Sequence, residues 1–403
     1  MKYFGTDGIR NTGEFFLTNN FAYIVGRSLS LLYNKNIYIG YDTRCSSPAI
    51  THLLISGALS VGLNVYNLNT VSTPCVAYYS LLYNAIGISI TASHNPYTDN
   101  GIKIFLNGEK LNDSQLQLIE KYLDNPTKEN IYGTIQNKCP LEYISFLNQF
   151  KTDTSHVLLD TSNGASSNLA SYFFNNIICK NPNGININDL CGSTHIENII
   201  SHTKDKYQYG IAFDGDGDRL LIVDKKGYIY TGDMLIFILC KYYNLKSVVL
   251  TKMVNPGIYN LFIKNNIKIY LSDVGDSNVY QLMKEHNVLL GGEDSGHIIN
   301  LNYLPFGDGL FNALIILKII NELNIGLINY INPNVKYPEY LINYKNLTEA
   351  QINKINYFID KYQNNLDYKI LLRKSGTEEL YRLYISCKEQ ETITKLLEDI
   401  NNV

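Results

Sequence analysis

The sequence predicts an α/β protein of several domains, and three observations predict it. Short apolar runs rich in β-branched residues alternate with stretches of helical spacing along most of the chain. At 403 residues the chain exceeds one ordinary core, and length alone gives roughly two to four domains. Each of the first three stretches carries one polar loop at a strand end, where open α/β sheets place ligands.

The first unit is read over 1–139. Phe21 to Leu32 has helical spacing, and Ile37 to Gly40 is a strand running into Tyr41-Asp42-Thr43-Arg44. A helix follows from about Pro48 to Val61, then a strand from Asn64 to Leu68. Ser72-Thr73-Pro74 opens the next helix, with a cap ahead of a first-turn proline. Ala85 to Ile90 and Asn100 to Phe105 are strands, and Leu111 to Leu123 is an amphipathic helix capped by Asn112 or Asp113. The polar stretch from Asp124 to Cys139 reads as a linker.

A second unit is read over 140–231. It has strands at His156 to Asp160 and Tyr209 to Phe213, then a hairpin turning at Lys225-Lys226-Gly227. The third unit, 232–332, begins with the helix Asp233 to Tyr243 and the strand Val248 to Thr251. It ends with the strand Val288 to Leu290 and the long helix Asp308 to Leu323. The remainder, 333–403, is a small α+β domain of two helices and two strands.

Composition narrows the function. A net charge of −3 argues against a nucleic-acid or anionic-membrane partner held by bulk electrostatics. The seven cysteines contain no C-x-x-C pair, which suits reduced core thiols in a cytoplasm rather than a disulfide framework or a zinc site. The most apolar windows are too short or interrupted for a membrane span. A functional-looking motif, Phe4-Gly5-Thr6-Asp7-Gly8-Ile9-Arg10, leaves no room for a signal peptide, so the expected location is the cytoplasm. Only six of the 34 basic residues are arginines: Arg10, Arg27, Arg44, Arg219, Arg373 and Arg382. Where lysine serves, this chain uses lysine, so these six mark sites needing a planar bidentate fork. Arg27, within a helical stretch, is the one expected on ordinary surface.

Four loops carry the chemistry. In Thr91-Ala92-Ser93-His94-Asn95-Pro96, Ser93 follows a buried strand and can give or accept a group if a charge partner is near; a serine satisfying a turn looks the same. Asp214, Asp216 and Asp218 alternate with glycines. Three carboxylates so close repel unless a cation sits among them, and an all-oxygen set suits Mg²⁺. Arg219 adds a phosphate donor. Gly291 to His297 places Glu293, Ser295 and His297 on one loop, able to hydrogen-bond sugar hydroxyls. Arg373, Ser375, Gly376, Thr377 and Arg382 form a phosphate cradle without the nucleotide P-loop pattern.

Together, in this order and across the whole chain, these four loops resemble the α-D-phosphohexomutase superfamily. The opening motif and Cys191-Gly192-Ser193-Thr194-His195 resemble its bacterial branch acting on hexosamine phosphates, with the glucose and mannose phosphate branch as the alternative. The resemblance implies four domains around one central cleft, three α/β and a C-terminal phosphate-binding one. Ser93 would be the phosphoserine, and with Asp214, Asp216 and Asp218 it would hold one Mg²⁺ per chain. Arg10, Lys103, His297 and His94 would lie at the transferred group, Lys103 and His297 moving protons. Arg219, Glu293 and Ser295 would bind substrate, and Arg373, Ser375, Gly376, Thr377 and Arg382 the phosphate that is not reacting. A hexose 1,6-bisphosphate would be the intermediate and activator, and a homodimer is allowed. Departures are Asn11, Ser277, Asp294, Lys374 and Glu379.

Overall fold

The computed structural model describes residues 1–5, 7–32, 36–124, 131–362, 365–374 and 380–402. The chain falls into two units, Met1–Gly232 with Ser295–Asn324, and Asp233–Asp294 with Ile325–Val403.

In the first unit the leading sheet is built around Ile86–Ile90, all five residues of which are buried. This strand runs parallel to Asn36–Tyr41 and antiparallel to Asp99–Leu106. Asn64–Thr70 extends the parallel side, and Gly8–Thr12 pairs with Asp99–Leu106 on the other. Burial on both faces explains why the central strands read as unbroken apolar runs rather than alternating ones. A second sheet orders Ile177–Ile178, Val157–Asp160, Tyr209–Phe213, Leu220–Asp224 and Ile229–Tyr230. Tyr209–Phe213 stops where the aspartates begin. The same unit contains the hairpin Ile298–Asn300 with Leu304–Gly307 and the helix Gly309–Leu323, whose cap Asp308 accepts from the Phe311 N–H at 2.9 Å.

The second unit holds a parallel set, Lys268–Ser272, Ser247–Thr251 and Leu290–Gly292, with helices Pro256–Lys264 and Asp276–His286. It also holds an antiparallel sheet ordered Glu339–Tyr344, Tyr381–Cys387, Tyr368–Lys374. Helices Glu349–Tyr362 and Gln390–Asn401 contribute Ile355, Phe358, Ile393 and Leu396 to the core over that sheet.

The α/β class stands, with several sheets. Four local expectations change. Ile135–Asn137, read as linker, is a strand parallel to Asn64–Thr70; its polar side chains are exposed at the sheet edge, so no apolar alternation announced it. The C-terminal stretch has three strands rather than two, because Glu339–Tyr344 is a half-exposed edge strand. Ser72 makes no side-chain cap bond. Arg27 is only 4% exposed and is no surface residue; its guanidinium reaches Tyr122 and Ser60. Among the described residues no helix is long and apolar enough to cross a membrane.

Candidate active site

Ser93 is fully buried and sits in the left-handed backbone region at φ 52°. A non-glycine residue held there costs about 1–3 kcal/mol, which the surroundings must supply. They do so by fastening the loop's carbonyls. Arg44 donates from Nη2 to the Ser93 and Asn95 carbonyls at 2.9 Å each, and from Nη1 to Asp99 O at 3.0 Å and to Pro96 O. Its Nε donates to Asp42 Oδ2 at 2.7 Å, and Asp42 also accepts from Thr91 and Ser47 hydroxyls. From the loop between Ile177–Ile178 and the helix Ile196–Thr203, Asn188 Nδ2 donates to Ser93 O at 2.9 Å, with its own amide oxygen held by Ser162. The turn is clamped from two sides.

The clamp presents the hydroxyl to the aspartates. Ser93 Oγ donates to Asp214 Oδ2 at 2.6 Å. This contact needs Gly215, since a Cβ there would come within 2.6 Å of the Ser93 carbonyl oxygen. One carboxylate oxygen from each of Asp214, Asp216 and Asp218 lies within 4.8 Å of the others. Asp216 Oδ1 and Asp218 Oδ1 are buried with no hydrogen-bond partner. Buried, unpartnered carboxylate oxygens are costly, and here they converge as hard-cation ligands do. The residues fit a divalent ion.

The charges around them balance. Lys103 Nζ lies 2.8 Å from Asp216, 3.0 Å from Asp218 and 3.0 Å from Asp7. Burial opposes its charge, but the three carboxylates outweigh burial and hold it protonated, well above the usual lysine range. Asp7 also pairs with Arg10 and Lys110. Arg219 Nε is 3.8 Å from Asp218 and 4.0 Å from Asp214. Burial and the adjacent Asp218 and Asp216 push the Asp214 carboxyl well up. Asp218 resists burial and is held well below the carboxylate range by Lys103 and His297.

His297 Nε2 accepts from the Gly307 N–H at 3.2 Å, so the ring proton is on Nδ1, which faces Asp218 Oδ2 at 3.7 Å. His94 Nδ1 is 3.5 Å from Ser93 Oγ; burial, then Arg219 and Arg10, lower its pKa to about 3, so the ring is neutral. Arg10 donates to Asn95 Oδ1 at 3.3 Å. Ser93, Arg10, Lys103, His297, His94, Arg219 and the three aspartates are therefore neighbours within the first unit, as is Ser295, which is exposed on the His297 loop.

In the second unit, Glu293 Oε1 accepts from the Gly275 N–H at 2.9 Å. Arg373 and Arg382 face each other across adjacent antiparallel strands. Burial and then Arg382 lower the Arg373 pKa, Glu293 opposing, and Arg373 Nε is buried without a partner. Like charges directly opposite destabilise a sheet, so the pair makes chemical sense with an anion between them. Ser375, Gly376 and Thr377 lie outside the described residues. Asp294 is ion-paired: Lys336 Nζ is 2.9 Å from it and 2.7 Å from Glu339.

Sequence reasoning gave no role to Asp7, Asp42, Asn188, Lys336 or Thr73, whose hydroxyl donates to Asp216 Oδ2 at 2.7 Å. Asp7 lay in the opening motif, and the scarcity of arginine marked Arg44.

The phosphoglucomutase/phosphomannomutase family matches through its α/β/α domain I over residues 1–130 and its α/β/α domain III over residues 231–334. The phosphoglucosamine mutase of Bacillus licheniformis is 37% identical, covering 100% of this chain and 98% of its own. This chain belongs to that family. The phosphoglucosamine mutase of Bacillus subtilis is also 37% identical, over 97% of this chain and 95% of its own. As a phosphohexomutase the chain is an isomerase that works by phosphoryl transfer. A phosphoglucomutase/phosphomannomutase family protein of Burkholderia thailandensis shares the fold at TM-score 0.80 and 20% identity, covering 98% of this chain and 96% of that one. The Aspergillus fumigatus N-acetylphosphoglucosamine mutase, solved with GlcNAc-6P and magnesium, matches at TM-score 0.62 and 14% identity, over 99% and 95% of the two chains.

Proposed function

We propose that the chain is a cytoplasmic phosphoglucosamine mutase, interconverting glucosamine 6-phosphate and glucosamine 1-phosphate through a phosphorylated Ser93 and a 1,6-bisphosphate. The observation that carries the reading is the Ser93 hydroxyl, clamped in a left-handed turn and hydrogen-bonded to Asp214 at 2.6 Å. The sugar assignment is supported by the full-length relatives that are phosphoglucosamine mutases at 37% identity.

Phosphoryl transfer asks alignment and charge neutralisation of the protein more than covalent chemistry. The bond from phosphorus to Ser93 Oγ breaks as a bond to the sugar hydroxyl forms, and protonated Lys103 would give its proton to the departing Ser93 Oγ and take the hydroxyl's proton in return, so no net proton is gained or lost. The reverse step returns the other phosphate to Ser93. Lys103 enters this chemistry protonated, and His297 carries its proton on Nδ1; these are the assigned proton-transfer groups, with Arg10 and neutral His94 beside the phosphate.

Asp214, Asp216 and Asp218 would hold one Mg²⁺, which supplies charge neutralisation when bound. The balance supports a divalent ion. Four carboxylates, Asp7 and the three aspartates, face four cations, Arg10, Lys103, Lys110 and Arg219. A phosphoserine adds about two negative charges, so a doubly charged cation restores neutrality. Glu293 and Ser295 would bind sugar hydroxyls, and Arg373, Ser375, Gly376, Thr377 and Arg382 the phosphate not in transfer. The four-part division at 1–139, 140–231, 232–332 and 333–403 belongs to the same proposal.

The test is a side-by-side assay on glucosamine, glucose and mannose 6-phosphates in the presence of a hexose bisphosphate. The highest kcat/KM is expected on the glucosamine substrate. A preference for glucose or mannose phosphate would reassign the chain to the phosphoglucomutase/phosphomannomutase activity.

A further inference from the structure

We propose that Cys179 and Cys191 are a redox-modified pair that closes an intramolecular disulfide when the protein meets a small-molecule disulfide, and that closure slows the enzyme. Both lie behind the Ser93 and aspartate loops. Cys179 follows the strand Ile177–Ile178, which pairs with Val157–Asp160, and Cys191 opens the Cys191-Gly192-Ser193 turn. The two sulfurs and a carboxylate oxygen of Asp160 lie within 4.8 Å of one another.

Asp160 is already committed. Its Oδ1 accepts from the Ser162 N–H at 2.8 Å, and its Oδ2 from the Gly192 N–H at 3.0 Å and Asn198 Nδ2 at 3.1 Å. A carboxylate so occupied is a structural anchor rather than a metal ligand, which leaves the thiols as the reactive groups. Cys191 is 1% exposed and Cys179 half-buried, so a reagent meets Cys179 first. The two sulfurs lie within 4.8 Å of each other, and Asn198 Nδ2 donates to Cys179 Sγ at 3.4 Å. Donors of this kind favour the thiolate, the attacking form. The backbone gives no reason for cysteine at this position. Cys179 has φ 48°, a left-handed conformation that the described residues outside glycine fill mostly with asparagine.

The step balances. The Cys179 thiolate attacks glutathione disulfide, releasing one glutathione thiolate and forming a mixed disulfide. Cys191, losing its proton, then attacks the Cys179 sulfur and releases the second glutathione thiolate. The protein loses two thiols and the reagent is reduced. Closure draws the sulfurs from within 4.8 Å to a bond of about 2.0 Å. It pulls on two fastenings of the site. Ser193 N–H donates to Phe213 O, the residue before Asp214, at 2.9 Å. Asn163 Nδ2 reaches Cys191 Sγ at 3.6 Å, next to Ser162, which holds Asn188 against the Ser93 loop.

The full-length protein, reduced and then treated with glutathione disulfide, should lose two hydrogens in intact mass. Non-reducing peptide mapping should link Cys179 to Cys191. Turnover of the preferred hexose phosphate should fall and return with dithiothreitol. Cys179→Ser should keep the basal rate and lose the sensitivity, and a double Cys45→Ser/Cys139→Ser variant should retain it. Glutathione adducts confined to exposed Cys45 and Cys139 would overturn the proposal, as would the linked disulfide with no loss of rate. Zinc held in proportion to protein and released by Cys179→Ser would overturn it in favour of a metal site. The mapping reads the linkage whichever sugar the enzyme prefers, so its failure is separable from failure of the glucosamine assignment.

Discussion

The Ser93 region and the Arg373–Arg382 strands hold charge in opposite ways. Around Ser93 nearly every charged group meets its opposite: Lys103 touches three carboxylates, and Arg44 is spent on Asp42 and four carbonyls. On the C-terminal sheet two arginines face each other across adjacent strands, and Arg373 Nε has no hydrogen-bond partner among the described residues. The first arrangement is largely paired before any substrate arrives, as electrostatic preorganisation requires, with one oxygen each of Asp216 and Asp218 left open toward a cation. The second sets like charges opposite each other, which favours an anion that comes and goes. Under the proposed function, a phosphate carried on Ser93 would sit in the paired setting and a phosphate that is released in the like-charge one.

The comparison breaks first at its largest effect. Ser93→Ala should reduce mutase turnover by a factor on the order of 10⁴–10⁶, the scale for loss of a covalent nucleophile. Phosphopeptide mapping after treatment with a hexose bisphosphate should find no label on the loop. Chelation followed by gel filtration should silence the wild type, with activity restored by Mg²⁺. Full activity after chelation would show that Lys103 alone balances the aspartates.

Next in size is Arg44→Ala. It leaves Asp42 buried without its cation and takes one donor from each of four loop carbonyls, with Asn188 still reaching those of Ser93 and Asn95. Breaking a buried pair on one side costs about 3–5 kcal/mol, which the urea midpoint should report at constant slope. Labelling of Ser93 should fall with it, since the left-handed turn loses its clamp. A change in stability below about 1 kcal/mol, the scale of one hydrogen bond, would mean that Asn188 holds the loop by itself.

Why Arg44 was half legible and Asn188 not at all is instructive. The strand ending at Ile90, the three aspartates and the helix capped by Asp308 all follow from local pattern, because apolar period and turn residues are local causes. Arg44 stood out only as one of six arginines, and nothing local said that it would face the Ser93 loop. Asn188 lies 95 residues from Ser93 and reaches it from a loop outside every strand. Asp294, unusual beside the family pattern, is neutralised by Lys336 from beyond the long helix, and no window of sequence contains both. Arg27 misled for the same reason: its partners Ser60 and Tyr122 are 33 and 95 positions away.

Arg373→Lys is the third test, with a smaller effect that falls mainly on binding. Lysine keeps the charge and loses the fork, so kcat/KM should fall by about 1–3 kcal/mol, the scale of a charge-assisted hydrogen bond. Part of the loss should reach kcat, since remote binding energy positions the reacting end. Arg373→Leu should abolish that binding yet stabilise the sheet by about 0.2–1 kcal/mol, because it relieves a like-charge pair. If both variants lower the melting temperature along with activity, the arginines are structural and the contrast with Ser93 fails.

The smallest effect on activity belongs to Arg27, and it decides what the scarcity of arginine means. Its guanidinium reaches the Tyr122 hydroxyl from Nε at 3.3 Å and the Ser60 hydroxyl from Nη1 at 2.7 Å. Those partners lie on the helix Asp113–Asp124 and just past the helix Ser47–Leu59, so one fork ties three helices. A lysine ammonium cannot hold both directions at once. Arg27→Lys should therefore cost about 1 kcal/mol for each hydrogen bond given up. The folded protein's kcat/KM should stay at the wild-type value, because Tyr23, Ser60 and Tyr122, which Arg27 reaches, belong to neither the Ser93 nor the Arg373 region. Planar geometry then explains arginine at both kinds of position, as helix brace at 27 and as anion fork at 373. Should Arg27→Lys cut kcat/KM as deeply as Arg373→Lys while leaving stability intact, arginine retention would track catalysis alone. The brace read from these hydrogen bonds would then be wrong.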